Sequence, residues 1–262
     1  MTATLSRPAG PKPLRCYIAT TVRILRQLRA DPRTVAMILL VPALLMTLLY
    51  FVYKNYSVMP GAPRLFDRVG ITMLGVLPFV VMFLITAIAM QRERVSGTLE
   101  RLMTTPLSKL DLLAGYGTAF SIAAGAQAAI ACGVAFWLLD LQAAGSPFLV
   151  VLIAVVDAVL GVSLGLLASA FARTEFQAVQ FMPVIVLPQF FLCGLLVPRG
   201  QLPGWLEAVS NVLPLSYAVD ALQQVSAHTG VTGLMWRDLA VVAGFAAVAL
   251  GLGAATLRRR TA

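Results

Sequence analysis

Residues 147–171 read PFLVVLIAVVDAVLGVSLGLLASAF and contain a single charged side chain, that of Asp157. A run of about 20 apolar residues is long enough for an α-helix to cross the hydrocarbon core of a bilayer. The run lacks the alternation of polar and apolar residues that a strand of a membrane β-barrel would show. These residues therefore predict a helix that spans a membrane.

The rest of the chain shares this apolar character. Of its 262 residues, 59% are hydrophobic and only 12% are charged, whereas about 25% of the residues in an average soluble domain are charged. A backbone surrounded by lipid must satisfy its own hydrogen bonds, which leaves helices or a closed barrel. Together with the length of the apolar runs, this composition predicts an all-α polytopic membrane protein.

The sequence predicts six membrane-spanning helices, preceded by a helix of another kind. In residues 14–30 the apolar side chains keep helical spacing and the arginines fall mostly on the opposite face, so this helix is expected to lie along the membrane surface. We therefore divide the chain into residues 1–33, a cytoplasmic tail with an interfacial helix, and residues 34–262, one six-span domain. The predicted spans are residues 35–53, 71–90, 110–139, 147–171, 178–197 and 239–257.

The distribution of basic residues sets the predicted orientation. With six spans both termini lie on one side of the membrane, and 15 of the 20 lysines and arginines fall on that side. Short loops with an excess of Lys and Arg stay in the cytoplasm, so both termini are predicted to be cytoplasmic and the chain to lie in the cell membrane. The net charge of +9 is therefore typical of a membrane protein, and we predict no nucleic-acid partner.

The cytoplasmic connection between spans two and three, residues 91–109, reads QRERVSGTLERLMTTPLSK. Gly97 can cap a short helix in which Glu100 takes the third position, where a carboxylate favours the helix dipole. Leu99 and Leu102 share one face of that helix. The amphipathic helix has two interpretations: a loop helix on the membrane surface, or a projection that docks into a groove of a partner protein.

Three stretches of the sequence together match the pattern of a known family. They are Gly97-Thr98-Leu99-Glu100 with Leu102 and Thr105-Pro106-Leu107-Ser108; Phe191-Leu192-Cys193-Gly194 with Leu202-Pro203-Gly204-Trp205-Leu206; and Pro214-Leu215-Ser216-Tyr217-Ala218-Val219-Asp220-Ala221. In this order they resemble the signature of ABC-2 type transporter permeases, most of all the daunorubicin and multidrug export branch. One departure from the family's pattern is Tyr116, because the family often has a lysine after the preceding glycine.

The resemblance implies partners and site residues. It implies a coupling helix at about residues 91–106 that contacts a separate ATPase subunit, and short external re-entrant helices between spans five and six. A second permease copy or a paralogue would complete the pathway within the membrane lipid. The implied coupling residues are Glu93, Gly97, Thr98, Leu99, Glu100, Leu102 and Pro106, and the external gate candidates are Pro203, Trp205, Pro214, Tyr217 and Asp220.

Asp157 is the one carboxylate deep inside a predicted span. A charged aspartate at the bilayer centre costs about 2.5–3.5 kcal/mol on insertion scales. Gly161 and Gly165 follow at i+4 and i+8, forming a row of small residues that suits close helix contact. We infer that Asp157 faces protein or a watery cavity. Two roles stay open: a structural hydrogen bond to a neighbouring helix, or a part in substrate passage or subunit contact.

The sequence carries no Gly-x-x-x-x-Gly-Lys-Ser/Thr phosphate loop, so this chain is not expected to hydrolyse ATP by that route. We predict no catalytic, cofactor-binding or metal-binding residues here, with ATP and Mg²⁺ held by the partner ATPase. The predicted function is that of the permease subunit of an ATP-binding-cassette exporter for an amphipathic drug, lipid or glycan-type substrate. The alternative is a gradient-driven secondary transporter, which would usually show more intramembrane ionisable residues.

Overall fold

The computed structural model describes residues 13–55, 64–103 and 108–256. Within those ranges the chain forms ten α-helices and no strand. A π-helical turn at Val134–Leu138 extends one of them, and a 3-10 turn lies at Arg199–Gln201. The α-helices are α1 (Pro13–Ala30), α2 (Pro32–Tyr53), α3 (Leu65–Val95), α4 (Thr98–Met103), α5 (Lys109–Gly133), α6 (Pro147–Ser169), α7 (Glu175–Leu192), α8 (Gly204–Ser210), α9 (Pro214–Ala227) and α10 (Gly233–Thr256).

Six of these helices are long and apolar enough to cross a membrane, namely α2, α3, α5 with its π-helical extension, α6, α7 and α10. The prediction of an all-α protein with six spans is therefore confirmed in the described part of the chain. The helix α1 precedes the spans where the interfacial helix was predicted, and α8 and α9 lie between the last two spans. Whether α8 and α9 are re-entrant stays a prediction.

Several helix ends differ from the predicted spans. The second span was predicted to end at residue 90, but α3 continues to Val95, because Gln, Arg and Glu are good helix formers outside the apolar run as well. The fifth span was predicted to reach residue 197, but α7 ends at Leu192. Gly194 follows with a φ of +93°, a left-handed conformation that glycine adopts without steric cost.

Helix starts follow from capping side chains. Asp31 accepts a hydrogen bond from the Thr34 backbone N–H at 3.1 Å, and the proline that follows opens α2 at a position where no N–H is needed. Ser108 Oγ accepts from the Asp111 N–H at 3.0 Å and so begins α5. These two caps mark where α2 and α5 begin.

The centre of the molecule is the contact between α3 and α6. A Cβ atom added at Gly161 would lie 2.4 Å from the Phe79 carbonyl oxygen, and one added at Gly165 would lie 2.5 Å from the Phe83 carbonyl oxygen. Both distances are far below van der Waals contact, so the two helix backbones touch along this row. The small-residue row of α6 therefore lies directly on the backbone of α3.

The outermost spans are α2 and α7, the two with the smallest buried fraction. Large apolar side chains on both helices are exposed, among them Leu44 and Leu48 on α2 and Val184 and Phe191 on α7. These two faces are therefore the surfaces that lipid or another membrane subunit would cover.

Candidate functional site

The connection between α3 and α4 turns at Gly97. Its φ is +70°, a left-handed conformation that costs a residue with a Cβ atom about 1–2 kcal/mol. The Gly97 N–H donates to the carbonyl oxygen of Arg94, and the Gly97 carbonyl oxygen accepts from the Arg101 N–H. The glycine thus ends α3 and caps α4 at the same point. The single segment predicted at residues 91–106 is therefore divided, with its first five residues belonging to α3.

The helix α4 is anchored by its apolar face. Leu99 is 4% exposed and lies in a group of buried side chains that comes from α1, α2, α3, α5, α6 and α10. We call this group the Leu99 cluster, and Leu102 packs against it. Its other members include Ile24, Met90, Leu112, Leu113 and Tyr116.

Three further predicted coupling residues are Thr98, Glu100 and Pro106, of which Thr98 and Glu100 lie on α4. Thr98 opens the helix, and its hydroxyl lies 2.9 Å from the Ser96 hydroxyl. Glu100 takes the third position of α4, as predicted, although its side chain lies outside the described atoms. Pro106 lies outside the described residues altogether.

Glu93 occupies a different place from the rest of the predicted coupling residues. It lies on the last turns of α3, is 6% exposed, and forms an ion pair with Arg23 of α1, with Nη2 and Oε1 3.7 Å apart. The same Arg23 group donates to the Tyr116 hydroxyl of α5 at 2.5 Å and lies 5.7 Å above its ring. Glu93 is therefore an internal contact between α1, α3 and α5, and it does not share the surface of α4.

Sequence reasoning missed Arg23 and Tyr116 as members of this group. The available signal was Tyr116 itself, which stands where the family often has a lysine. In this chain the cation beside the Glu93 carboxylate is Arg23 of α1. Close packing of α1 on α5 supports that arrangement, because Tyr17 and Thr118 hydroxyls lie 2.7 Å apart, and a Cβ atom at Gly115 would come within 2.8 Å of the Thr20 side chain.

Asp157 of α6 is completely buried where α6 packs against α3. Its Oδ2 atom would lie 3.3 Å from a Cβ atom added at Gly75 of α3, where Leu222 of α9 also approaches. Neither carboxyl oxygen has a hydrogen-bond partner among the described residues. The inference that Asp157 faces protein agrees with this position, whereas the structural hydrogen bond to a neighbouring helix is not present in the described part of the chain.

The external gate candidates are partly brought together by Arg199. The Arg199 guanidinium pairs with Asp220, donates to Asn211 Oδ1, and lies 5.5 Å above the Tyr217 ring. Tyr217 in turn donates to the Asn211 carbonyl oxygen at 2.7 Å. Burial raises the pKa of the Asp220 carboxyl above its usual range, and the nearby Arg199 charge opposes part of that rise. Sequence reasoning missed Arg199, although it is the only lysine or arginine between positions 173 and 237.

The remaining gate candidates do not belong to this network. Pro203 precedes α8, and Trp205 on α8 is 70% exposed. Pro214 is buried and opens α9 at a position that suits proline. In the second stretch of the family pattern, Pro203 and Trp205 are therefore exposed whereas Cys193 is buried, and most of the third stretch is buried.

Comparison with known proteins supplies the family context. The family model described as ABC-2 type transporter matches residues 15–226. The chain is 26% identical over 168 residues to the probable multidrug ABC transporter permease YbhR of Escherichia coli (strain K12), covering 64% of this chain and 46% of that protein. It is 25% identical over 165 residues to the linearmycin resistance permease protein LnrN of Bacillus subtilis (strain 168), covering 63% and 43%. The chain thus spans about half the length of the relatives it matches.

Proposed function

The chain belongs to the ABC-2 type transporter family, and from that premise we propose that it is the membrane permease subunit of an ATP-binding-cassette exporter. It is a multi-pass membrane protein with six helices of spanning length. Both termini are taken to be cytoplasmic, which follows from the distribution of its basic residues. ATP and Mg²⁺ would be bound by a separate ATPase subunit, since this sequence lacks a phosphate loop. Membership of the daunorubicin branch within the family stays a prediction.

The observation that carries this proposal is the attachment of α4. A short helix lies between the second and third spans, and Leu99 fixes it into a cluster shared by α1, α2, α3, α5, α6 and α10. A partner that displaces α4 would therefore disturb the packing of several helices at once. Packed clusters of this kind change between discrete arrangements rather than bending gradually.

The mechanism follows from that attachment. An ATPase subunit that contacts α4 in one of its two conformations would favour one arrangement of the spans, because a partner shifts an equilibrium only through its different affinity for the two states. The outer side of residues 97–102 would form the contact, with Leu99 as the buried anchor behind it. Glu93 would act inside the molecule as part of the transmission to α1 and α5. A second permease subunit would pack against the exposed faces of α2 and α7. The transported substrate would be an amphipathic drug, lipid or glycan-type molecule.

The experiment that tests the proposal is purification of the full chain from its native membrane, followed by an ATPase assay. We expect a separate ATPase to co-purify with the wild-type chain, and Glu100→Arg to remove that activity by reversing a charge on α4. The matched control is Glu207→Arg, because Glu207 is exposed on α8, between the last two spans. The control variant should retain the ATPase.

Two outcomes would refute this reading. If no ATPase activity accompanies the wild-type chain, the exporter assignment fails, and transport driven by an ion gradient becomes the hypothesis to test with a protonophore. If Glu100→Arg and Glu207→Arg retain equal activity, the contact does not involve α4.

A further inference from the structure

Residues 193–213 connect α7 to α9, and the structure describes all of them. Within this segment only Cys193, Gly194 and Ser210 are buried. Burial of side chains therefore contributes little to holding the segment in place, and segments of this kind open locally at a low cost in free energy. Its large apolar side chains are mostly exposed, namely those of Leu196, Val197, Trp205, Val209 and Val212.

Polar and backbone features hold the two ends of the segment. Near its start the chain turns at Gly194 in a left-handed conformation, and a Cβ atom added there would lie 3.4 Å from Arg199 Cγ. Near its end, Ser210 Oγ donates to the Leu192 carbonyl oxygen at 2.8 Å and lies 3.0 Å from Ser216 Oγ. Ser210 is therefore enclosed between α7 and α9 for as long as the segment stays in this position.

Arg199 makes the central contacts of the segment. Its guanidinium pairs with Asp220 of α9, lies above the ring of Tyr217 on the same helix, and donates to Asn211 Oδ1 near the end of the segment. The Arg199 side chain is only 14% exposed, so these contacts are largely shielded from solvent. One side chain thus joins both halves of the segment to α9.

Asp220 relies on Arg199 for its positive partner. Among the described residues, Arg199 is the only cation that forms an ion pair with Asp220. The nearby Asp238 of α10 adds a second negative charge, and it already takes up Arg237, whose Nε and Nη2 atoms donate to Asp238 Oδ1 at 2.9 and 2.7 Å. Removing one partner of a largely buried ion pair leaves the other charge uncompensated, which costs far more than losing an exposed surface pair.

We propose that residues 193–213 form a lid, which the Arg199–Asp220 ion pair fastens to α9 and which opens when that pair separates. Opening would break the contacts of one guanidinium and of Ser210 but would remove few apolar side chains from the core. The state of one ion pair therefore decides between the closed and the open segment. That the lid covers the outer end of a transport pathway rests on the proposed function, whereas the fastening by Arg199 does not.

The test measures how fast a cysteine at the enclosed position 210 reacts with a maleimide. Ser210→Cys is introduced into the purified full chain together with Cys16→Ser and Cys193→Ala, while Cys132, which is buried on α5, is kept. Labelling at position 210 reports the opening of the segment, and labelling of Cys132 reports wider unfolding. In Arg199→Gln we expect labelling at position 210 to become at least about tenfold faster, the effect of losing one hydrogen bond between charged groups. The labelling rate of Cys132 should not change.

Two further variants test whether the ion pair itself is responsible. Adding Asp220→Asn to Arg199→Gln removes the carboxylate that would otherwise lack a cation, so the double variant should label more slowly at position 210 than Arg199→Gln alone. Arg199→Lys keeps the positive charge but loses the planar fork that reaches Asp220 and Asn211 together, so its rate should lie between those of the wild type and Arg199→Gln. If Arg199→Gln does not fold, a wild-type rate in Arg199→Lys would overturn the proposal.

The matched control is Arg64→Gln. Arg64 also pairs with two carboxylates, those of Asp67 and Asp140, but it lies outside the segment. This variant should label at position 210 at the wild-type rate, because its ion pairs do not fasten the lid.

Three results would overturn the proposal. One is a wild-type rate at position 210 in Arg199→Gln. Another is a double variant that labels as fast as Arg199→Gln or faster, because the Asp220 carboxylate would then not be the partner that matters. The third is an equal rise in the labelling of Cys132, which would show that Arg199 supports the whole fold and that the segment is not a separate lid. No ATPase takes part in this assay, so its outcome is independent of the co-purification experiment.

Discussion

The contact between α3 and α6 gives a prediction whose size can be worked out from the backbone. In Gly161→Ala the new methyl group would lie 2.4 Å from the Phe79 carbonyl oxygen, whereas ordinary contact begins near 3.4 Å. The obstacle is a helix backbone, which no rotamer change can move aside. The two helices must therefore separate by about 1 Å, and a gap of that size forfeits roughly a quarter to a half of each contact energy along the interface.

The expected cost follows from two opposing effects. Overpacking costs about 1–3 kcal/mol, and the contact with a carbonyl oxygen places Gly161→Ala at the upper end of that range. Alanine in place of glycine inside a helix recovers about 1 kcal/mol. We therefore expect a net loss of about 2 kcal/mol in the free energy of unfolding. Adding Gly165→Ala to Gly161→Ala should lower the free energy of unfolding by less than the first substitution did. The helix separation forced by the first substitution already relieves the contact at the Phe83 carbonyl oxygen.

The assay is reversible unfolding of the purified chain in detergent. The control is Gly125→Ala, because Gly125 lies inside α5 and an added Cβ atom there would meet nothing within 4 Å. That variant should be as stable as the wild type or more stable by up to about 1 kcal/mol. Equal stability of Gly161→Ala and Gly125→Ala would show that α3 and α6 are not in backbone contact, and the central packing described above would then be wrong.

Three further predictions concern the sites. Leu99→Ala should weaken the attachment of α4 by about 2–5 kcal/mol and lower co-purified ATPase activity, while wild-type activity in this variant would show that the anchor is unimportant. Asp157→Asn should leave expression and melting temperature unchanged, since no described donor is lost, and should lower transport; transport at the wild-type level would exclude a role in substrate passage. The pKa of Asp220 is higher in the folded chain than in the unfolded chain, so its contribution to stability is fully present at pH values below the ordinary aspartate pKa. That contribution should be lost as the pH rises through the raised pKa. Asp220→Asn should remove that part of the pH profile of the melting temperature, and an unchanged profile would exclude Asp220 as its source.

The spans were predictable because hydropathy alone marks where a helix enters and leaves lipid. The same signal does not mark where the helix ends. In α3 the apolar run stops at Met90, but the helix continues to Val95, and the predicted loop began too early. The Arg199 network was missed for a different reason: its members lie on separate segments, Arg199 being 21 residues from Asp220, and no local pattern joins them.

The position of Glu93 shows what the correct helix end would have revealed. Phe79, Phe83, Thr86, Met90 and Glu93 follow one another at alternating steps of four and three residues, the spacing of one helix face. All five are buried. Continuing α3 by one turn therefore places Glu93 on the internal stripe that packs against α6 and α5, and makes a buried carboxylate the expected result. The apolar residues of the stripe are satisfied by packing, but a carboxylate there needs polar partners, and Arg23 of α1 and Tyr116 of α5 supply them. The same register that buries Glu93 thus ties the end of α3 to both α1 and α5.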